Sequence, residues 1–153
     1  MTKISKILAP VDFSLGSKIA VEYSVALATA LGSSVTLFHA REMPGSMNAI
    51  VPGADNTIDA GKERAAALQQ LEAMRTEMQQ GTDVDISVVV QRGSPTIEIV
   101  SYSLSGGFDM IVMGTHGRTG LKRVVMGSVA EAVVRRALCP VLTVHLPVSD
   151  RWD

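Results

Sequence analysis

The chain has 153 residues, 46% hydrophobic and 19% charged, a composition that excludes a disordered polar chain and allows one domain with a real core. Lys and Arg total 14 against 15 Asp and Glu, and the net charge of -1 gives no general reason to bind nucleic acid or an anionic membrane. Cys139 is the only cysteine, which excludes an intramolecular disulfide and a multi-cysteine zinc site.

Five short apolar runs alternate with longer amphipathic ones. Ile4 to Val11 is strand-like and stops at Asp12. Ser14 is an N-cap for a helix from Leu15 to Leu31, whose apolar positions Ile19, Ala20, Tyr23, Ala26, Leu27, Ala30 and Leu31 repeat at helical spacing. Gly32 stops it. Val35 to Ala40 is the second strand. Glu42 to Thr57 carries Pro, Gly, Ser and Asn and is expected to be a loop, either a binding element or a surface insertion. Ile58 to Gln80 is a helix with Leu68, Leu71 and Met78 on its buried stripe, ended by Gly81.

Val84 to Gln91 is the β-branched third strand. Gly93-Ser94-Pro95 turns into a helix running to about Leu104, with Ile97, Val100 and Leu104 expected inward. Gly106-Gly107 breaks it, and Asp109 to Met113 is the fourth strand. Gly127 or Ser128 opens a last helix to about Leu138. Pro140 resets the chain into a fifth strand, Val141 to Leu146. Tyr23 and Tyr102 are expected at core edges, and Cys139 as a buried, inert thiol. The domain is expected to span 1–148, followed by a tail over 149–153. The N-terminus shows no signal-peptide core, and no apolar run approaches the ~20 residues of a membrane span, so the expected location is the cytoplasm.

Strand–helix alternation predicts an α/β fold. It is a single-domain, open, five-stranded parallel sheet with helices on both faces, Rossmann-like, in the order 3-2-1-4-5. Ligands of such sheets bind beyond the carboxyl ends of the strands, where strand order reverses. That reversal, between strands one and four, places Asp12 and Gly114 at one crevice. The fourth strand runs into Gly114-Thr115-His116-Gly117, and Gly127-Ser128 follows after Arg118 to Met126. Glycines let a ligand approach backbone, and a helix start offers N–H groups and partial positive charge to phosphate. No Asp or Glu lies between Met113 and Ala130, whereas Arg118, Lys122 and Arg123 do. These cations either steer phosphate or form a solvated face. A carboxylate at Asp12 can accept hydrogen bonds from ribose, so the two together predict a nucleotide. The spacing is neither a Walker A loop nor the dinucleotide fingerprint.

Gly114-x2-Gly117-x9-Gly127-Ser128, with Pro10-Val11-Asp12 after the first strand and Cys139-Pro140-Val141 before the last, resembles the ATP-binding branch of the universal stress protein family. The resemblance covers essentially the whole chain. It implies a pocket for ATP, or for ADP or AMP, with Mg2+ carried by the phosphates. Asp12 would take the ribose, and Val11 and Ala40 would lie against or hydrogen-bond the adenine. Met113, Gly114 and Gly117 would line the sugar and phosphate side, and Gly127, Ser128 and Val129 the distal phosphates. Pro10, His116 and Arg118 complete the expected site. It further implies a homodimer through the last strand, Val141 to His145, and a regulatory protein partner, with no nucleic acid and no membrane.

Plainer roles stand beside these. Asp12 can cap the turn near Ser14, and Ser128 can be a simple N-cap. His116 is expected to line the site rather than act as an acid or base, His39 to be structural near it, and His145 to be interfacial or exposed. No residue is assigned to catalysis. The expected activity is nucleotide-dependent regulation in a stress response with slow or no hydrolysis. The competing reading is a weak ATPase or an autophosphorylating enzyme.

Overall fold

The computed structural model describes residues 2–42, 56–116 and 126–146. Along them run β1 (Lys6–Pro10), α1 (Leu15–Leu31), β2 (Ser34–Arg41), α2 (Asn56–Met78), β3 (Ile86–Arg92), α3 (Pro95–Ser105), β4 (Met110–Gly114), α4 (Ser128–Arg136) and β5 (Val141–Val144). The strands form one parallel sheet in the order β3-β2-β1-β4-β5, as the alternation predicts. β1 therefore has β2 on one side and β4 on the other, and the winding reverses at their carboxyl ends.

Side-chain alternation along the strands divides the core in two. Ile7, Ala9, Val35, Leu37 and Val112 face α1 and α2, where they meet Ala20, Val21, Ala28, Ala67 and Leu71. Leu8, Phe38, Ile111 and Met113 face α3 and α4, where they meet Ile99, Ala130 and Val133. Period-two alternation with apolar residues on both parities is what a doubly covered strand requires. Tyr102 closes the second layer between Phe38 and Phe108, with ring centroids 4.9 Å and 5.5 Å away.

The ends of α1 follow from its sequence. The Ser14 hydroxyl oxygen accepts from the Ser17 N–H at 3.2 Å, and Gly32 adopts φ 68°, returning its N–H to the Ala28 carbonyl. Such an N-cap contributes about 1 kcal/mol.

The rotation of two helices differs from expectation. The buried positions of α1 are Gly16, Ser17, Ala20, Val21, Ser24 and Ala28, whereas Tyr23 is 55% exposed and Ala26, Ala30 and Leu31 also face out. The inner face is chosen by size rather than by hydrophobicity. Ser24 is tolerated there because its hydroxyl donates to the Ala20 carbonyl at 2.8 Å. Likewise α3 buries Ile99 and Ser103 and leaves Ile97 and Leu104 exposed. The Ser103 hydroxyl donates to the Val100 carbonyl at 2.8 Å, so a hydroxyl again occupies a core position. Several ends also shift. α2 begins within the segment expected to be a loop, α4 ends before Leu138, and β5 ends at Val144. Most of the expected loop, the cations Arg118, Lys122 and Arg123, Gly117 and the tail lie outside the described residues.

Small residues on α1 let it press on β4. A Cβ on Gly114 would stand 2.9 Å from the carbonyl carbon and oxygen of Gly16, and one on Gly16 would stand 2.8 Å from the His116 carbonyl oxygen. The obstacles are backbone and cannot swing aside. Gly114→Ala is therefore expected to lower stability by about 1–3 kcal/mol with no ligand present, read from the midpoint of urea unfolding. An unchanged midpoint would mean that α1 can back away from β4.

Candidate functional site

The carboxyl ends of β1, β2 and β4 and the starts of α3 and α4 enclose a cleft of about 550 Å3. Of the expected residues, Pro10, Val11, Asp12, Ala40, Met113, Gly114, His116, Gly127, Ser128 and Val129 all line it. Gly117 and Arg118 lie outside the described residues. The cleft volume falls within the range of small-molecule and cofactor sites. Ser17, Phe38, Arg41, Glu42, Pro95, Ile99, Thr115 and Ala130 line it as well and were not expected, and so does His39, which was expected to be structural near it. The signal for His39 was its place at the end of a strand.

The β1–α1 connection carries Asp12. Its Oδ1 accepts from both the backbone N–H and the hydroxyl of Ser14, and its own N–H donates to Ser17 Oγ at 3.3 Å. The turn-capping role of Asp12 is thus realised. A carboxylate has about four lone-pair directions, so capping the turn leaves it able to accept from a ligand as well. Phe13 follows with φ 64°, in the left-handed region that side chains rarely adopt.

Of the two roles expected for Val11, its hydrogen bonds leave the one of packing. Its N–H donates to the Phe38 carbonyl at 2.8 Å, and its carbonyl accepts from His39 Nδ1 at 2.7 Å. With both groups engaged, Val11 offers packing rather than a backbone bond. Ala40 is different. Because the Phe38 carbonyl points at β1, period-two alternation turns the N–H and C=O of Ala40 the same way, past the end of β1 and into the cleft.

The opposite wall is built on Thr115, which is 1% exposed. Its N–H donates to the Val144 carbonyl at 3.0 Å and its carbonyl accepts from the Gly127 N–H at 2.6 Å. Its hydroxyl oxygen lies 2.9 Å from His116 Nδ1, 3.2 Å from His145 Nδ1 and 3.4 Å from the Val144 carbonyl oxygen. All three contacts are satisfied when the hydroxyl donates to Val144 and both imidazoles donate from Nδ1.

Gly127 is the N-cap of α4 and has no side chain with which to cap it. Its own N–H is engaged by the Thr115 carbonyl, so the residue lines the cleft without offering that donor. The Glu131 N–H donates to the Gly127 carbonyl at 3.0 Å, so the N–H groups of Ser128, Val129 and Ala130 have no intrahelical acceptor. Three donors at the positive end of a helix dipole, beside the Ser128 hydroxyl, can hold an anion. On the other rim Arg41 pairs with Glu63 of α2. Outside the cleft, burial pushes the half-buried Cys139 thiol up, keeping it protonated and unreactive.

A model of the universal stress protein family matches residues 3–145. The chain belongs to the universal stress protein family. Among curated members, universal stress protein MJ0531 of Methanocaldococcus jannaschii is 33% identical over 95% of this chain and 84% of its own length. Universal stress protein MJ0577 of the same organism is 33% identical over 91% of this chain and 93% of its own length. The solved structure of MJ0577 covers 97% of this chain and 100% of its own, with a TM-score of 0.82 at 31% identity. A universal stress protein solved in complex with cAMP shares the fold, with a TM-score of 0.70 at 22% identity over 94% of this chain and 98% of its own.

Within this universal stress protein fold, Thr115 fastens the cleft wall to β5. Thr115→Val keeps the shape and removes the hydroxyl, and it is expected to cost about 1 kcal/mol in urea unfolding. It should also shift the His116 and His145 imidazole resonances together. Resonances that stay in place would remove the hydroxyl from this junction.

Proposed function

We propose that the chain holds ATP in this cleft and acts as a nucleotide-dependent regulatory module of a stress response, as a homodimer paired through β5. The observation that carries the reading is the pairing of opposite chemistries across one cleft. The start of α4 presents N–H donors with no intrahelical acceptor, and the β1–α1 turn presents the Asp12 carboxylate. Phosphate suits the first and ribose hydroxyls suit the second. Between them lie the apolar walls of Val11, Met113 and Ile99 and the backbone of Ala40, which suit a flat base. The Ser128 hydroxyl would meet the distal phosphates, with His116 and Gly114 lining the sugar side and Mg2+ accompanying the phosphates. Membership of a family that includes a protein solved with cAMP, itself an adenine nucleotide, agrees with this choice of ligand.

Titration calorimetry with MgATP is the direct test. ATP is expected to bind more tightly than GTP, and Asp12→Ala and Ser128→Ala are each expected to weaken it about three-fold to tenfold, the loss of one hydrogen bond. Absence of ATP heat at millimolar concentration would end the reading, and full affinity in both variants would move the site elsewhere.

The dimer rests on β5. In the described sheet it pairs with β4 on one side only, and Leu142 on it is 39% exposed. An uncovered apolar edge strand favours pairing about a two-fold axis. Light scattering is expected to give twice the chain mass, falling to the monomer for Leu142→Asp. A monomeric wild type would rule the dimer out.

A further inference from the structure

We propose that His39 is the positioning residue for Asp12, aiming its carboxylate into the cleft from the neighbouring strand. The proposal rests on the nucleotide reading above and adds a residue that acts through Asp12. Asp12 sits in a connection whose flanking residues His39 grips from both sides. On the amino side, a carbonyl can only accept, so the 2.7 Å contact between His39 Nδ1 and Val11 O puts the proton on Nδ1. On the carboxyl side, the His39 ring meets the Phe13 ring at 4.7 Å between centroids, tilted by 45°. Phe13 is the one non-glycine residue at positive φ among the described residues. A phenylalanine holds that conformation only when its surroundings over-determine it. The His39 ring is one such restraint, and the Ser14–Asp12 bonds are another.

The chemistry explains why this position suits histidine. Its ring supplies a donor at Nδ1 for Val11 and a flat face for Phe13 at once. An aliphatic residue supplies neither, and a phenylalanine lacks the donor. The distance from His39 to Asp12 in sequence hides this relation. It arises because β1 and β2 are parallel neighbours and β2 runs on past the end of β1.

A role exerted through Asp12 differs from general support of the fold in one measurable way. It should change recognition of the ribose hydroxyls and leave the rest of the nucleotide alone. The experiment compares ATP with 2′,3′-dideoxy-ATP by calorimetry on wild type, Asp12→Ala, His39→Asn and His39→Gln. Asparagine places an amide N–H where Nδ1 stood, and glutamine carries it past that point, so two polar variants of similar size divide the outcomes. Wild type is expected to favour ATP over the dideoxy analogue about tenfold, the worth of hydrogen bonds to a carboxylate. Asp12→Ala and His39→Gln should both bring that ratio toward one, while His39→Asn retains most of it. The proposal is overturned if His39→Gln keeps the wild-type ratio, or if it weakens both nucleotides equally. Failure of the nucleotide reading itself looks different, because the wild type would then bind neither ligand.

Discussion

The contact between the first turn of α1 and the end of β4 is the constraint on which the site depends. Gly16 and Gly114 meet backbone to backbone, with no room for a methyl group on either. The approach carries the β1–α1 turn, and Asp12 with it, to the edge of β4 and thence to Thr115. The Thr115 carbonyl in turn takes the Gly127 N–H and so fixes where α4 begins. Two walls that are about a hundred residues apart in sequence become one cleft through this short relay. The sheet order supplies the crevice, because β1 parts β2 from β4. The glycine contact sets how closely the crevice's rims converge.

This gives the glycines of the motif different duties. A glycine beside a ligand site invites the inference that the ligand needs the space. At Gly114 the structure supplies another occupant of that space, the Gly16 peptide, although Gly114 also lines the cleft. At Gly127 the N–H is engaged by protein and the residue serves as an N-cap without a side chain, handing the orphan donors to Ser128, Val129 and Ala130. Motif glycines can therefore line a cleft while their own space and donors are taken up by the protein.

The architecture was legible because alternation of strand and helix and punctuation by Ser14, Gly32, Pro95 and Pro140 are local signals. The strand order and the placing of Asp12 opposite the glycines followed from topology rules that need no coordinates. The rotation of α1 and α3 was not legible, whereas the Leu68, Leu71 and Met78 stripe of α2 was. Periodicity assumes that the larger apolar residues turn inward, and α1 obeys a steric demand instead, with Gly16, Ser17, Ala20 and Ser24 inside. Serines escape that kind of search because their hydroxyls bond to the preceding turn and shed their polarity. The expected site residues come together at one cleft for the same reason that the fold was legible, since they end strands and start a helix. Of the cleft's supports only His39 was expected nearby, as a structural residue, and the pairings themselves were missed. His39 acts on a strand neighbour, Arg41 on a helix partner, and Thr115 through buried contacts, and none of these pairings leaves a mark at fixed sequence spacing.

These supports bear on how such a cleft would work. Asp12 is held by Ser14, His39 by Val11, Arg41 by Glu63, and His116 by Thr115. The polar side chains around the opening are thus tied to the protein itself. The groups aimed into the cleft include backbone N–H at a helix start and the backbone of Ala40, which are fixed by the fold. A site built this way loses little conformational entropy when a ligand enters, because its donors and acceptors are ordered beforehand. It also resists rearrangement, since moving any one side chain breaks a bond with its partner. Chemistry that demands a mobile acid or base is poorly served by such restraint, whereas holding a ligand is well served. The buried hydroxyl of Thr115 joins His116 in the cleft to Val144 and His145 at the sheet edge, so the cleft wall and the edge strand are held as one unit.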